Sequence, residues 1–163
     1  MALNAYLRLK GQKQGDFKGG VIQKGREGFI LVNAWSQQLI SPRDPASGMA
    51  TGKRQHGVLR ITKPTDISTP QFYQAWIANE SLGVELMCYE PNKLGTAGGS
   101  GVEALFFTVQ LTNARVVEMT TVMPNNLIPA TQSLPQYEDI AFSYETITWT
   151  YKLGNKMASD TWQ

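Results

Sequence analysis

The chain has 163 residues, 42% hydrophobic and 17% charged, and a formal net charge of +2 at neutral pH. That length fits one domain with a core of its own, and the composition excludes both a disordered polyelectrolyte and a strongly basic nucleic-acid binder. The single cysteine, Cys88, excludes an intrachain disulfide framework and fits folding in a reducing compartment.

Against the ~25% charge of ordinary soluble domains, the low charged fraction fits either a surface covered by other copies of the chain or one rich in Ser, Thr, Gln and Asn. The N-terminus "MALNAYLRLKG" lacks a basic segment followed by a sustained apolar run, so the general secretory signal is not expected. No run reaches the ~18 apolar residues of a membrane span, and membrane insertion is not expected either.

In chain order, Leu3, Ala5, Leu7 and Leu9 alternate with Asn4, Tyr6, Arg8 and Lys10, the period of a half-buried strand. After the turn-rich "GQKQGDFKGG", the segment "FILVNAWSQQLI" reads as a strand with bulk on both faces. Phe29, Leu31 and Trp35 lie on one side, and Ile30, Val32 and Ile40 on the other. Pro42, Pro45, Gly48, Gly52 and Gly57 then mark a long loop before the strand "GVLRITK".

A helix is predicted in "DISTPQFYQAWIANE", with Thr69 as N-cap and Pro70 as the first helical residue. Phe72, Ala75, Trp76 and Asn79 share its apolar face, which should plug an opening in a sheet or barrel. Beyond it, "GVELMCYE" and "EALFFTVQLTN" flank the glycine turn at 95 to 101 and predict a hairpin. Cys88 reads as a core thiol. Further strands are expected in "RVVEMTTVM" and "EDIAFSYETITWTYK". With one helix, many strands and no internal repeat, the fold class is mainly β, a sandwich or barrel.

Chemistry is sparse. "SGMATGKRQHG" suggests a phosphate loop, but Gly48 and Gly52 are separated by three residues instead of four. Arg54 also stands where Ser or Thr should hold magnesium, and a strand follows where a helix is needed. His56 is the only histidine, which excludes structural zinc and leaves nucleophilic catalysis a single base in a basic loop. Glu138 with Asp139 or Glu145 could form a carboxylate pair, but the expected reading is solvated strand surface. No cofactor is implied.

Five segments in order resemble the haemolysin-coregulated (Hcp) proteins, the inner-tube proteins of bacterial type VI secretion systems. "MALNAYLRLKG" is similar to the family's first strand, and "GDFKG" to its glycine-acid turn. "SQQLISPRDPASGMATGKRQHG" resembles the strand and extended loop that end in a His-to-Lys pattern, here His56 to Thr62-Lys63. "ITKPTDISTPQFYQAW" resembles the helix start T-K-x-x-D-x-S-[ST]-P, and "YETITWTYKLGNKMASDTW" the closing strand and tail.

The resemblance implies a β-barrel of two antiparallel sheets with one side helix and a long projecting loop, formed by residues 1–163 as one domain. It implies a homohexameric ring, rings stacked into a tube, effector proteins held in the pore, and a contracting sheath with a spike at its tip. It also implies assembly in the bacterial cytoplasm followed by type VI secretion, and no enzymatic activity. Arg43, Asp44, Met49, Lys53 and Arg54 would contact the next ring. Ser36 and Gln38 would face either the pore or a neighbouring subunit, and Trp35 would point into the barrel. A monomeric binding module that holds a carbohydrate or peptide in the same loop is the alternative reading of the residues.

Overall fold

In a computed structural model that describes residues 3–91 and 103–162, the chain runs β1 (Asn4–Gly11), β2 (Gly15–Asp16), β3 (Ile30–Val32), β4 (Ala34–Ser36), β5 (Leu39–Ile40), β6 (Gln55–His56) and β7 (Leu59–Pro64). The helix α1 (Thr69–Ile77) follows, and then β8 (Leu82–Pro91), β9 (Glu103–Val122), β10 (Tyr137–Ser143), β11 (Thr146–Tyr151) and β12 (Lys156–Thr161). Every strand pairing is antiparallel.

Two sheets share β9. Its first half pairs with β8 on one side and β11 on the other, while its second half pairs with β10. The first sheet continues from β8 through β1 to β2 and β3, and from β11 to the edge strand β12. The second continues from β10 through β7 to β4. The change of partner falls at Asn113, whose φ of 50° lies in the left-handed region that Asn tolerates better than most residues. Its side chain is fixed there, with Oδ1 accepting from Ser81 Oγ at 2.6 Å and Nδ2 donating to Glu145 Oε2 at 2.9 Å.

The same handover explains why two predicted strands are divided. "FILVNAWSQQLI" breaks at Asn33, with β3 pairing to β1 in one sheet and β4 to β7 in the other. The ladder does not close by continuous pairing, and the covalent step from β3 to β4 spans the gap. "EDIAFSYETITWTYK" breaks at Tyr144 and Glu145, sending β10 and β11 to opposite sheets. Conversely, the two strands predicted around residues 103–123 are one strand, because Asn113 bends the chain without ending it. Chains that turn such corners let two twisted sheets pack across each other around one core.

That core follows parity along the strands. Leu7 and Leu9 of β1, Leu59 and Ile61 of β7, Leu86 of β8, and Ile140 and Phe142 of β10 are all buried inside. β1 departs from simple alternation because Tyr6, on its outward face, is buried as well. The loop before β3 places Arg26 over the Tyr6 and Tyr89 rings, at 4.9 and 3.8 Å from their centroids. Arg26 Nη1 also donates to Glu103 Oε2 at 2.7 Å. Burial works against this guanidinium's charge, but the bonds to Glu103 and Tyr6 outweigh it and raise its pKa. Gly19 closes this loop, since a Cβ there would lie 2.1 Å from the backbone oxygen of Phe29.

α1 covers the core through Phe72, which meets Phe17 edge-on with centroids 5.3 Å apart and Phe142 at 6.3 Å. The buried stripe is Ser68, Phe72 and Ala75, and Trp76 stays 51% exposed, contrary to the expected face. On a 100° wheel, Ser68 and Ala75 fall on one side of Phe72 and Trp76 on the other, so a short helix buries only the first side. The N-cap is Ser68, one residue before the predicted Thr69. Asp66 sets this start: its Oδ1 accepts from the Ser68 amide at 2.9 Å, while Thr69 Oγ1 accepts from the Asp66 amide at 3.1 Å.

Glu138 is not solvated surface. It is fully buried, and its Oε1 lies 2.9 Å from Nζ of the equally buried Lys63. Lys63 also reaches Asp66 Oδ1 at 3.0 Å and donates to the carbonyl of Pro64 at 2.9 Å, and Thr69 Oγ1 donates to Glu138 Oε1. This cluster ties β7, β10 and the start of α1 together. Asp139 points the opposite way from Glu138, as adjacent strand residues must, so the two carboxylates do not converge on one site.

Candidate functional site

Two surfaces carry the residues singled out in the sequence: the loop between β5 and β6, and the outer face of the sheet that contains β4. The loop is an ordered arm. Leu39 and Ile40 pair with His56 and Gln55 at its root, and an isolated bridge joins Arg43 to Ala50 nearer its tip. The tip is closed by Asp44, whose carboxylate accepts from Ser47 Oγ at 2.6 Å and from the Ala46 amide at 3.0 Å. The Asp44 amide donates to Met49 O at 2.8 Å, and Gly48 takes a φ of 70° to complete the turn. The Ser47 bond holds the Asp44 carboxyl below its ordinary pKa. Met49 is 68% exposed, and Arg43 and Lys53 are exposed beside it.

The root of the arm is fastened to the C-terminal strand. Arg54 donates Nε and Nη2 to the two oxygens of Asp160, each at 2.9 Å, and His56 Nε2 lies 2.9 Å from Asp160 Oδ2. The His56 ring stacks on Trp162 with centroids 5.8 Å apart and meets Tyr144 edge-on at 5.5 Å. The Tyr144 hydroxyl, 3.0 Å from His56 Nδ1, donates to Gly57 O at 3.0 Å and accepts from Gln37 Nε2 at 3.2 Å. The Arg54 fork drives the Asp160 carboxyl far below its usual range, desolvation opposes this, and the His56 bond adds to it. A cavity of about 200 Å³ opens beside these residues, lined by Lys53, Arg54, His56, Asp160 and Thr161. Arg54 is therefore engaged within its own chain, while Lys53 beside it is exposed.

On the second surface the register fixes which side chains share a face. Ser36, Arg60, Ala141 and Glu118 form one row across β4, β7, β10 and β9, and Ala34, Thr62, Asp139 and Thr120 form the next. Arg60 donates to both Glu118 oxygens, at 3.1 and 3.0 Å, bridging over the buried Ala141. That bond lowers the Glu118 pKa. Thr62 Oγ1 donates to Asp139 Oδ1. The face is thus small-residue and polar, and the Arg60 and Glu118 charges are paired within it.

Ser36 stands exposed on this face. Gln38 is also exposed but lies past the end of β4, where its carbonyl accepts from the Gly57 amide at 2.7 Å. Trp35, on the opposite face of β4 from Ser36, is half-buried against the core and stacks on Phe107 with centroids 6.3 Å apart. Cys88 is buried nearby, and burial raises its thiol pKa.

Among the described residues no group of three or more His, Cys, Asp or Glu is placed to hold a metal ion, and no helix is long and apolar enough to cross a membrane. Residues 6–151 match the family profile described as "Type VI secretion system effector, Hcp". The whole chain aligns at 32% identity with the major exported protein of Pseudomonas aeruginosa, over 97% of that protein. The chain belongs to the Hcp family.

Solved Hcp structures agree on the fold. A double mutant of Hcp1 from the EAEC 042 pathovar of Escherichia coli shares 35% identity and superposes with a TM-score of 0.83, covering 99% of this chain and 100% of that one. The secreted protein Hcp3 of Pseudomonas aeruginosa gives 26% identity and a TM-score of 0.77, with 99% of each chain covered. The start of α1 has a physical reason: Lys63, Asp66, Ser68 and Thr69 are joined by hydrogen bonds and ion pairs that hold its first turn against β10.

What the sequence did not reveal is the part played by Glu138, Tyr144 and Asp160. A signal for Glu138 was present, since Lys63 and Glu138 fall at the inward parity of β7 and β10 and are register partners. Asp160 carried no such signal, because the edge strand β12 is exposed along most of its length.

Proposed function

We propose that this Hcp-family chain is a structural subunit of the type VI inner tube. Copies close into hexameric rings, rings stack, and effector proteins are carried in the pore within a sheath and behind a spike. The observation that carries this reading is the pairing of an ordered arm with an exposed, charged and apolar tip and a sheet face that is polar with small residues. Head-to-tail contact repeated around an axis closes a ring, while stacking needs ring faces that are complementary to one another.

In this arrangement Arg43, Met49 and Lys53 contact the next ring, Asp44 shapes the turn that presents them, and Arg54 holds the arm at its root. Ser36 and Gln38 face the pore. In this wall Arg60 and Glu118 neutralise each other and Asp139 is held by the Thr62 hydroxyl, so the net field is weak and cargo of varied charge is admitted. Assembly takes place in the cytoplasm, and export follows through the type VI apparatus. The chain serves as structure and carrier and not as an enzyme.

Light scattering after size-exclusion chromatography tests the ring: a mass near six chains is expected, and a stable mass near one chain refutes it. Electron microscopy of the same fraction then reads stacking.

A further inference from the structure

We propose that Asp160 of the edge strand β12 is a clasp that sets the direction of the arm, so that contact between stacked rings depends on β12 being seated. The hydrogen bonds of the outer arm close on the arm itself: Asp44 to Ala46, Ser47 and Met49, and Thr51 to Pro42. They fix its shape and leave its angle to the body undetermined. That angle is set at the root, where Arg54 and His56 converge on one carboxylate and the His56 ring fills the gap between Tyr144 and Trp162.

Asp160 is 106 residues from Arg54 in sequence and sits on a strand that, among the described residues, pairs only with β11. A two-oxygen fork to a guanidinium fixes orientation as well as distance, which a single bond would not do. Trp162 extends the clasp, with its amide donating to Glu145 O at 2.8 Å at the corner between β10 and β11. The arm, the corner and the C-terminal strand therefore move together while Asp160 is in place; once it is released the root keeps the Tyr144 bond to Gly57 O and the Gly57 bond to Gln38 O, and the angle of the arm loosens. Asp160 is a positioning residue and contacts no partner itself.

This inference rests on the ring-and-tube reading, and the test separates the two. In Asp160→Asn, hydrogen exchange at the amides of residues 54–57 is expected to be about tenfold faster, the effect of losing roughly one charge-assisted bond from a local opening. Exchange along β1 and β8 should not change. The variant should form rings of wild-type mass that fail to stack into tubes. Arg54→Gln, at an exposed position where misfolding is not a concern, should reproduce both effects.

Unchanged exchange at 54–57 in both variants, or tubes as long as those of the wild type, would overturn the clasp. A loss of ring mass or a general rise in exchange would also overturn it, because Asp160 would then serve stability alone. A wild type that forms no rings refutes the tube reading, and the exchange measurement still decides the clasp.

Discussion

Removing Lys63 should cost more than neutralising Glu138, although the two form one ion pair. Lys63 Nζ lies 2.9 Å from Glu138 and 3.0 Å from Asp66, so the cluster holds two carboxylates around one ammonium. Lys63→Met leaves both acids without their cation. They stand no more than about 6 Å apart, where an effective dielectric of ~20 gives about 3 kcal/mol of repulsion, relieved only if one takes up a proton.

Loss of one partner from a buried pair costs about 3–5 kcal/mol, which for a chain of this size lowers the melting temperature by roughly 10 °C. Glu138→Gln keeps the shape, leaves Lys63 balanced by Asp66, and should cost about 1.5–3 kcal/mol, the value of a hydrogen bond to a charged group. Thermal and denaturant unfolding of the two variants measures the gap. If Lys63→Met is as mild as Glu138→Gln, the cluster is not a buried triad with a single cation and the reasoning fails.

Phe72→Ala should destabilise by about 3–5 kcal/mol, because the ring fills the space between Phe17 and Phe142, whereas Trp76→Ala should cost less than about 1 kcal/mol. Denaturant midpoints separate them, and equal losses would place Trp76 in the core after all. The stability that the clasp contributes should weaken in acid: the Asp160 carboxyl is held below its ordinary range, so its contribution is complete above the usual carboxylate pKa of about 4 and fades progressively as pH falls from there toward the lowered folded-state value. The stability difference between wild type and Asp160→Asn should then shrink below about pH 4, and a difference that widens in acid contradicts the sign. Replacing Met49, Lys53 and Arg54 together should shorten tubes without changing ring mass, and tubes of normal length would remove the arm from the stacking contact. Ser36→Gln should lower cargo recovered by pull-down with rings unchanged, and equal recovery would exclude Ser36 from the cargo face.

Local sequence determined the local structure. Alternation in β1 and β7 and the Ser-Thr-Pro start of α1 follow from interactions between near neighbours and were legible from a few residues; β8 and β9 pair antiparallel as expected, and the glycine turn predicted between them at 95 to 101 lies outside the described residues. The ordered motifs around the extended loop and the helix start likewise pointed to the family. Periodicity, however, reports which way a side chain points and not which strand will lie beside it. The breaks at Asn33 and at Tyr144 were therefore invisible, as was the unbroken course of β9 through Asn113.

The same limit applied to charge. Alternation sets Glu138 inward and Asp139 outward but names no partner: Glu138 is buried against Lys63, 75 residues away, and Asp139 faces outward beside Thr62. For the arm, the sequence determined that "SGMATGKRQHG" is a turn-forming segment unsuited to phosphate. Only the folded chain decided that Arg54 turns back to Asp160 while Met49 and Lys53 face outward. Closing a contact across more than a hundred residues depends on every strand between them being in place.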